Sequence, residues 1–377
     1  MLHVFSYFRP DFTGEGLYLE KLAQHLQALG IEGDVLVGRT KAARHIEPGG
    51  ALRLRIYFGD GRTKLRLFYP AMLAWFGVNA WRYGVVHFHG AVDRLFLFHL
   101  VARAFGCRVV HSSTLDDGLG SLVNGYRKRF RRITRLLCRS IDAAISISPY
   151  LYQDSLTILP AERLHFIPQG VNIPEPDPEK RRADRASLGL TDADVVLVFV
   201  GSVSARKDVK FLVQNHPAPT AGCGRVCLIV VGPELDAEYA AEVRSMAAAS
   251  SARDNIHFVG HAENPSVAYN MADIFVFASV KEGFGNVLIE AMSHGLPVIS
   301  RRLPGVNDSF IVHQQTGYLF DDAAEYREIL AELVRDPGLR RKTGAAARDV
   351  AIRDYSLSEM ARRYASLYRG LVSNRRA

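Results

Sequence analysis

The chain has 377 residues, 48% of them hydrophobic, with a mean hydropathy of zero and a formal charge of +8. One hydrophobic core rarely organises so long a chain, so two domains of roughly 170 to 200 residues are expected. No apolar run approaches the ~18 residues of a membrane span, and the opening MLHVFSYFRPDF lacks the basic lead and apolar core of a secretory signal, which predicts a cytoplasmic protein.

The charge is uneven. Residues 1–173 hold 22 Lys and Arg against 13 Asp and Glu, and the remainder 25 against 26. A basic half favours an anionic partner: nucleic acid, an acidic membrane face or a phosphorylated substrate. Cys107, Cys138, Cys223 and Cys227 are scattered, and no second Cys or His pair completes a zinc site around the last two. Buried, reduced thiols are expected.

In chain order, LHVFSYF, DVLVG, GVVHFHG, RVVHSS and DAAISISP each have the look of a parallel strand, separated by amphipathic segments such as GLYLEKLAQHLQALG. That alternation predicts a doubly wound α/β domain over residues 1–173. The spaced prolines of PEPDP open a linker over 174–190. The alternation then restarts with VVLVFVG, VCLIVVG, NIHFVG, DIFVFAS and LPVIS, giving a second α/β domain over 191–354. The last residues, from about 355 to 377, have a helical composition. Two open sheets joined in this way would face each other across a cleft, with ligands held beyond the carboxyl ends of the strands.

Candidate residues stand just after strands. Gly14 and Gly16 precede a helix in DFTGEGLYLEKL; they could let a phosphate reach the free N–H groups of a helix start or simply make a tight turn, since Leu19 stands where the dinucleotide fingerprint needs a third glycine. Arg206 and Lys207 follow the Gly-Ser turn of VFVGSVSARKDVKFL, placed to neutralise a diphosphate whose charge grows as it leaves; the alternative is a solvated surface pair. In KEGFGNVLIEAMSHGLPVIS, Glu282 precedes a helix of about 286–294 and Glu290 lies one turn inside it. The two carboxylates are therefore not a proton-sharing pair. Glu290 sits between Ile289 and Ala291 and needs a partner, for which a ribose diol or a backbone group would serve. The acidic Asp192 to Asp194 step precedes its strand and is set aside as a metal site.

The block from NIHFVG to TGYLF resembles the donor half of glycosyltransferase family 4, through the glutamates eight positions apart, the E-G-F-G turn, the E-A-M-x-x-G-x-P-V step, the G-V-x-D segment and the T-G-x-L-F ending. The closing RDYSLSEMARRYASLYR is similar to the family's last helices, which return to the N-terminal domain; the first half matches less fully, through its glycine loop, ISISPYLYQDSL and HFIPQGVN. The resemblance implies the GT-B fold, two Rossmann-like domains, and retaining transfer of a sugar from a nucleotide-diphosphate donor to a hydroxyl, without metal or other cofactor. It implies that Glu282 contacts the transferred sugar, that Glu290 holds the ribose and that Lys207 binds phosphate. Backbone N–H groups around Gly283, Phe284, Gly285, Asn286 and Val287 would hold sugar hydroxyls and diphosphate, and Gly14 matches the second glycine of the family's N-terminal loop.

Two departures stand out. Ser202 occupies the place of the family's usual Arg, with Arg206 four residues on as a substitute. Asp116, in SSTLDDG, occupies the place of a sugar-contacting His; Asp116, His89 and His111 are the candidates for that acceptor-side role.

Residues 122–141, LVNGYRKRFRRITRLLCRSI, set Arg127, Lys128, Arg131, Arg132 and Arg135 among apolar positions at helical spacing. With RLRIYFGDGRTKLRLFYP, this basic helix is read as holding the protein on the inner, anionic face of the cytoplasmic membrane, where a lipid-linked, lipopolysaccharide or exopolysaccharide acceptor would lie; the alternative is a solvated helix packed on its own domain. UDP-sugar is favoured over GDP-sugar. The competing functions are a sugar-nucleotide epimerase on the same fold and a nucleic-acid-binding protein; the latter would leave the second domain without a purpose, so nucleic acid is not expected as a partner.

Overall fold

A computed structural model of the chain describes residues 1–7, 14–39, 52–57, 65–89, 96–113, 118–125, 128–218, 224–262 and 264–373, and the account below concerns those. The chain divides into two compact units, Met1–Gly170 with Leu357–Ala377, and Val171–Ser356.

The first unit runs β1 (Leu2–Tyr7), α1 (Gly14–Ala28), β2 (Gly33–Arg39), β3 (Leu52–Tyr57), α2 (Leu65–Asn79), β4 (Val85–His89), α3 (Phe96–Ala104), β5 (Arg108–Ser113), α4 (Leu119–Asn124), α5 (Lys128–Cys138), β6 (Ala143–Ser146), α6 (Pro149–Leu156) and β7 (Leu164–Phe166). The strands are all parallel, in the order β3-β2-β1-β4-β5-β6-β7. That order reverses direction between β1 and β4, the topological switch point of a doubly wound sheet. Seven strands replace the five read from sequence: β3 lies in the Arg-rich stretch assigned to the membrane, and β7 has only three residues, too few to show an alternation.

Alternating side chains bury both faces of this sheet. Val4, Val86, Phe88 and Val109 pack with Met72, Phe76 and Phe98 of α2 and α3. On the other side, Val85, Val110 and Ile145 meet Leu22 and Leu26 of α1 together with Met360, Tyr364 and Tyr368. Each such side chain removed from water contributes about 1.5–3 kcal/mol. The last three belong to the chain's final helix, so this unit is completed by residues almost 200 positions beyond its last strand. The backbone approach at Gly170 is one that glycine alone permits, because a Cβ there would stand 2.7 Å from Met360 Cγ and 3.1 Å from Leu357 Cα.

The second unit runs α7 (Pro178–Ala186), β8 (Val195–Val200), α8 (Val209–Gln214), β9 (Val226–Val231), α9 (Ala237–Ala249), β10 (Ile256–Gly260), α10 (Ser266–Met271), β11 (Ile274–Phe277), α11 (Asn286–Ser293), β12 (Val298–Arg301), β13 (Tyr318–Phe320), α12 (Ala323–Arg335) and α13 (Pro337–Tyr355), after which α14 (Leu357–Ser373) returns to the first unit. Its sheet, parallel throughout, is ordered β10-β9-β8-β11-β12-β13, with the switch point between β8 and β11. The TGYLF ending contributes β13, a sixth strand beyond the five expected.

Two readings of the sequence need correction. The stretch 174–190 is not a plain linker: α7 occupies its centre, with Asp177 accepting a hydrogen bond from the Lys180 N–H and Pro178 at the first helical position, where a missing N–H costs nothing. Arg181 and Arg185 then fasten it to Asp273 and to the carbonyls of Asn270, Met271 and Ala272. The basic segment 122–141 is likewise not one helix, since α4 ends at Asn124 and α5 begins at Lys128. Among the described residues, no helix is long and apolar enough to cross a membrane. Cys107, Cys138 and Cys227 are buried free thiols, and Cys223 lies outside the described residues.

Candidate active site

The second unit brings four predicted or neighbouring groups together at its switch point. β8 ends at Val200, and the chain then makes a 3-10 turn, Ala205–Lys207, before α8. β11 ends at Phe277, followed by fully buried Ser279 and the Glu282–Gly285 turn. The two loops are tied through backbone, with Val280 N–H donating to Arg206 O at 3.0 Å. Glu282 Oε1 then accepts from Lys207 Nζ at 2.7 Å, Arg206 Nη1 at 2.8 Å and the Ser279 hydroxyl at 2.6 Å. Arg206 also donates to Lys281 O at 2.7 Å.

All three donors converge on one carboxylate oxygen. The Lys207 and Glu282 side chains are each only 10% exposed and Arg206 41% exposed, so the lysine pair is the desolvated one. Removing one partner from such a pair typically costs about 3–5 kcal/mol, because the other charge stays buried and unpaired. The Lys207 ammonium also lies 5.0 Å from the Phe277 ring centroid. Below the turn, Asp208 takes a left-handed conformation (φ +50°) that Asp tolerates better than most residues, and Arg301 holds it, donating to Asp208 Oδ2 at 2.7 Å and to Ala278 O at 3.0 Å.

Gly285 caps α11 with φ +90°, a conformation that favours glycine, and no side chain caps the helix there. The first N–H groups of a helix lack intrahelical partners and carry its positive dipole end. The turn is anchored by Phe284, a core residue 3% exposed, its ring 5.4 Å from Phe310 and 5.9 Å from Tyr355. Any contact from this position therefore comes from its backbone. Gly283 is buried, and Asn286 and Val287 are half-buried on the first turn of α11.

Glu290 has the partner that its apolar neighbours demand: the Tyr269 hydroxyl of α10 donates to Oε2 at 2.9 Å. Burial, reinforced by this carboxylate, holds the Tyr269 phenol well above its usual pKa, so the bond stays protonated. Ser202 is half-buried with its hydroxyl 3.2 Å from Ser204 Oγ, while Arg206, four residues on, reaches the Glu282 carboxylate. Asp194 is not exposed for metal: Arg225 and Thr191 bond its carboxylate and hold it well below the usual range.

In the first unit, Gly14 and Gly16 lie in the first turn of α1. Asp116 and Arg127 are outside the described residues, and Lys128 opens α5. His89, 7% exposed, closes β4, with Nε2 3.0 Å from His3 Nδ1. His111 is not at a strand end open to a ligand: it is fully buried on the α3 side of the sheet with its ring 6.3 Å from that of His99, and burial keeps it neutral. On α5, Arg131, Arg132 and Arg135 are exposed beside Phe130, Ile133 and Leu136, which are 43%, 54% and 59% exposed. The helix rests on Thr134 and Cys138 instead.

Sequence reading missed Ser279, Tyr269 and Arg301. Each is ordinary in type and becomes meaningful only when the strand order sets it beside a charge on another segment.

Two doubly wound parallel domains with the last helix crossing back, and a cation-carboxylate cluster beyond the strand ends of the second, define a GT-B glycosyltransferase fold. Residues 180–350 match the family described as Glycosyl transferases group 1, and residues 13–170 match the Glycosyl transferase 4-like domain. The chain belongs to the group 1 glycosyltransferases and is a transferase enzyme. It is 28% identical to a D-inositol 3-phosphate glycosyltransferase of Jonesia denitrificans over 90% of this chain and 87% of that one. It is 23% identical to the N-acetyl-alpha-D-glucosaminyl L-malate synthase of Bacillus anthracis, over 75% and 74%. Among solved structures, Anabaena HepE in complex with UDP superposes with a TM-score of 0.79 at 17% identity, covering 98% of this chain and 100% of that one.

Proposed function

We propose that this enzyme transfers a sugar, with retention of anomeric configuration, from a nucleotide-diphosphate sugar to a hydroxyl of a lipid-linked saccharide, lipopolysaccharide or exopolysaccharide. The observation that carries the reading is the convergence of Arg206, Lys207 and Ser279 on a single oxygen of Glu282, beside the uncapped start of α11. As the bond from the anomeric carbon to the diphosphate breaks, negative charge gathers on the leaving phosphate. Lys207 and Arg206 are fixed cations at that point, and the α11 N-terminus adds backbone donors. Glu282 has two tasks: Oε1 orients the cations, while Oε2 accepts from hydroxyls of the transferred sugar. Glu290, steadied by Tyr269, takes the ribose hydroxyls. In this reading protein cations and helix N–H groups stabilise the leaving group, and the transfer uses no metal or other cofactor.

A UDP-sugar is the favoured donor, and the UDP bound to Anabaena HepE supports it. The acceptor is assigned to the first unit, on the inner face of the cytoplasmic membrane. What supports this is α5, whose exposed Phe130, Ile133 and Leu136 could enter the acyl boundary while Arg131, Arg132 and Arg135 meet anionic headgroups. Flotation with anionic and neutral liposomes tests that part: equal, negligible binding to both would remove it. The donor reading is tested by a thermal-shift panel of UDP, GDP, ADP and their sugars. A rise in melting temperature with UDP and UDP-sugars is expected; no shift with any of them at millimolar ligand would refute the site. Conversion of the donor to an epimer without an acceptor would support the epimerase instead.

A further inference from the structure

The first unit carries a second cluster of polar groups, three histidines of which His3 and His87 have no part in the transfer reaction proposed above and His89 was read from the sequence as an acceptor-side candidate. His3 on β1 and His87 on β4 are directly paired across the strands, and His89 follows two residues later, so all three project from the α1 and α14 face of the sheet. They are 1%, 0% and 7% exposed. One nitrogen from each lies within 4.8 Å of the others, and the His3 Nδ1 to His89 Nε2 separation is 3.0 Å. They border a small cavity of about 10 Å³ that Tyr18, Tyr364 and Gln169 help to line.

We propose that His3, His87 and His89 form a binding site for one divalent transition-metal ion of the zinc or cobalt type, with water completing its coordination. The donor set selects the metal. Three imidazoles, with no carboxylate among the described residues that line the cavity, suit a borderline ion and not magnesium or calcium, which require oxygen ligands. A tetrahedral ion with nitrogen bonds of about 2.0–2.1 Å spaces its ligand atoms roughly 3.3 Å apart. The His3 and His89 nitrogens stand close to that spacing, and drawing His87 in takes a side-chain movement on the order of 1 Å.

The surrounding shell fits as well. His87 Nδ1 is 2.8 Å from the Tyr368 hydroxyl and Nε2 is 2.6 Å from the Ser112 hydroxyl. Either nitrogen can turn to the ion while the other keeps its hydroxyl, the arrangement that normally orients a metal-bound histidine. His3 Nδ1 and His89 Nε2 face each other at 3.0 Å, and both His87 nitrogens face hydroxyls.

The test uses the full chain, untagged and stripped with chelator, titrated with Co²⁺ and then Zn²⁺. One equivalent of Co²⁺ per chain is expected, with the visible d–d absorption of a four-coordinate ion, displaced by Zn²⁺ and accompanied by a rise in melting temperature. His3→Gln and His89→Gln should each reduce affinity at least tenfold. X-ray absorption on the zinc-loaded native chain needs no variant, and a shell of three imidazoles is the expected result. Absence of saturable binding, or a shell with fewer than two imidazoles, overturns the proposal.

Discussion

The two sheets share a parallel, doubly wound order, yet the polar groups packed against them are kept mainly in different ways. In the first, His3, His87, His99 and His111 are buried and held neutral by desolvation. In the second, charge is retained and paired: Glu282 with Lys207 and Arg206, Asp208 with Arg301, and Asp273 with Arg181 and Arg185. A hydrogen-bonded neutral imidazole costs less to bury than a charge and offers a lone pair. A fixed cation is costly to bury and is worth holding only where an anion must be met. The same topology thus supports two kinds of polar site, and the difference lies in a few residues of each unit.

The comparison breaks most severely at Glu282. Glu282→Ala leaves Lys207 buried without its carboxylate, so a stability loss of about 3–5 kcal/mol in urea unfolding is expected, with turnover abolished. Glu282→Gln keeps the shape and lowers turnover by roughly 100-fold or more, read as nucleotide release in the presence of acceptor. Unchanged turnover in Glu282→Gln would remove its role.

The next test sets acid response in one unit against the other. Burial pushes His99 down to about 3. Below the ordinary value of about 6.5 the unfolded chain takes up a proton that the folded chain refuses, so stability falls with pH by about 1.4 kcal/mol per unit until the folded value is reached. His99→Leu should abolish that component, about 2 kcal/mol between pH 6.5 and 5. Asp194 behaves differently, because Arg225 depresses it. Its contribution is present above about pH 4 and is lost only as pH falls further, so Asp194→Asn should show a constant penalty at pH 5–7 that shrinks in stronger acid. Both are read from denaturant midpoints across pH; a His99 contribution that does not change between pH 7 and 5 would contradict the first. A smaller effect is expected for Tyr269→Phe, about 1 kcal/mol in stability with a several-fold loss of UDP affinity, measured by calorimetry.

How far the sequence carried this picture depended on range. Alternating strands and helices were legible because each strand is a short buried run bounded by its own turn, and the E-G-F-G step was legible because its glycine, carboxylate and helix start are contiguous. The three-residue strands β7 and β13 were too short for a period, and β3 was hidden because arginines at alternate positions mask a strand pattern. PEPDP misled because proline marks a helix start as well as a break. The Arg-rich segment was read through Gly125 as continuous, since helical spacing happens to persist across the gap. His111 followed an apolar run, which does not say whether a side chain at that register meets solvent or α3. The partners of Glu282 and Glu290 come from other segments, Lys207 75 positions away and Tyr269 21 positions away, and only strand order brings them in.

The central claim is that the second unit's buried lysine-glutamate pair is a diphosphate site, and calorimetric titration of UDP into the native chain and Lys207→Ala tests it most directly. Loss of the fixed cation should weaken UDP at least tenfold while uridine, lacking the diphosphate, binds both proteins alike, and raising salt should narrow the UDP difference. Equal UDP affinity in the two proteins would contradict the claim.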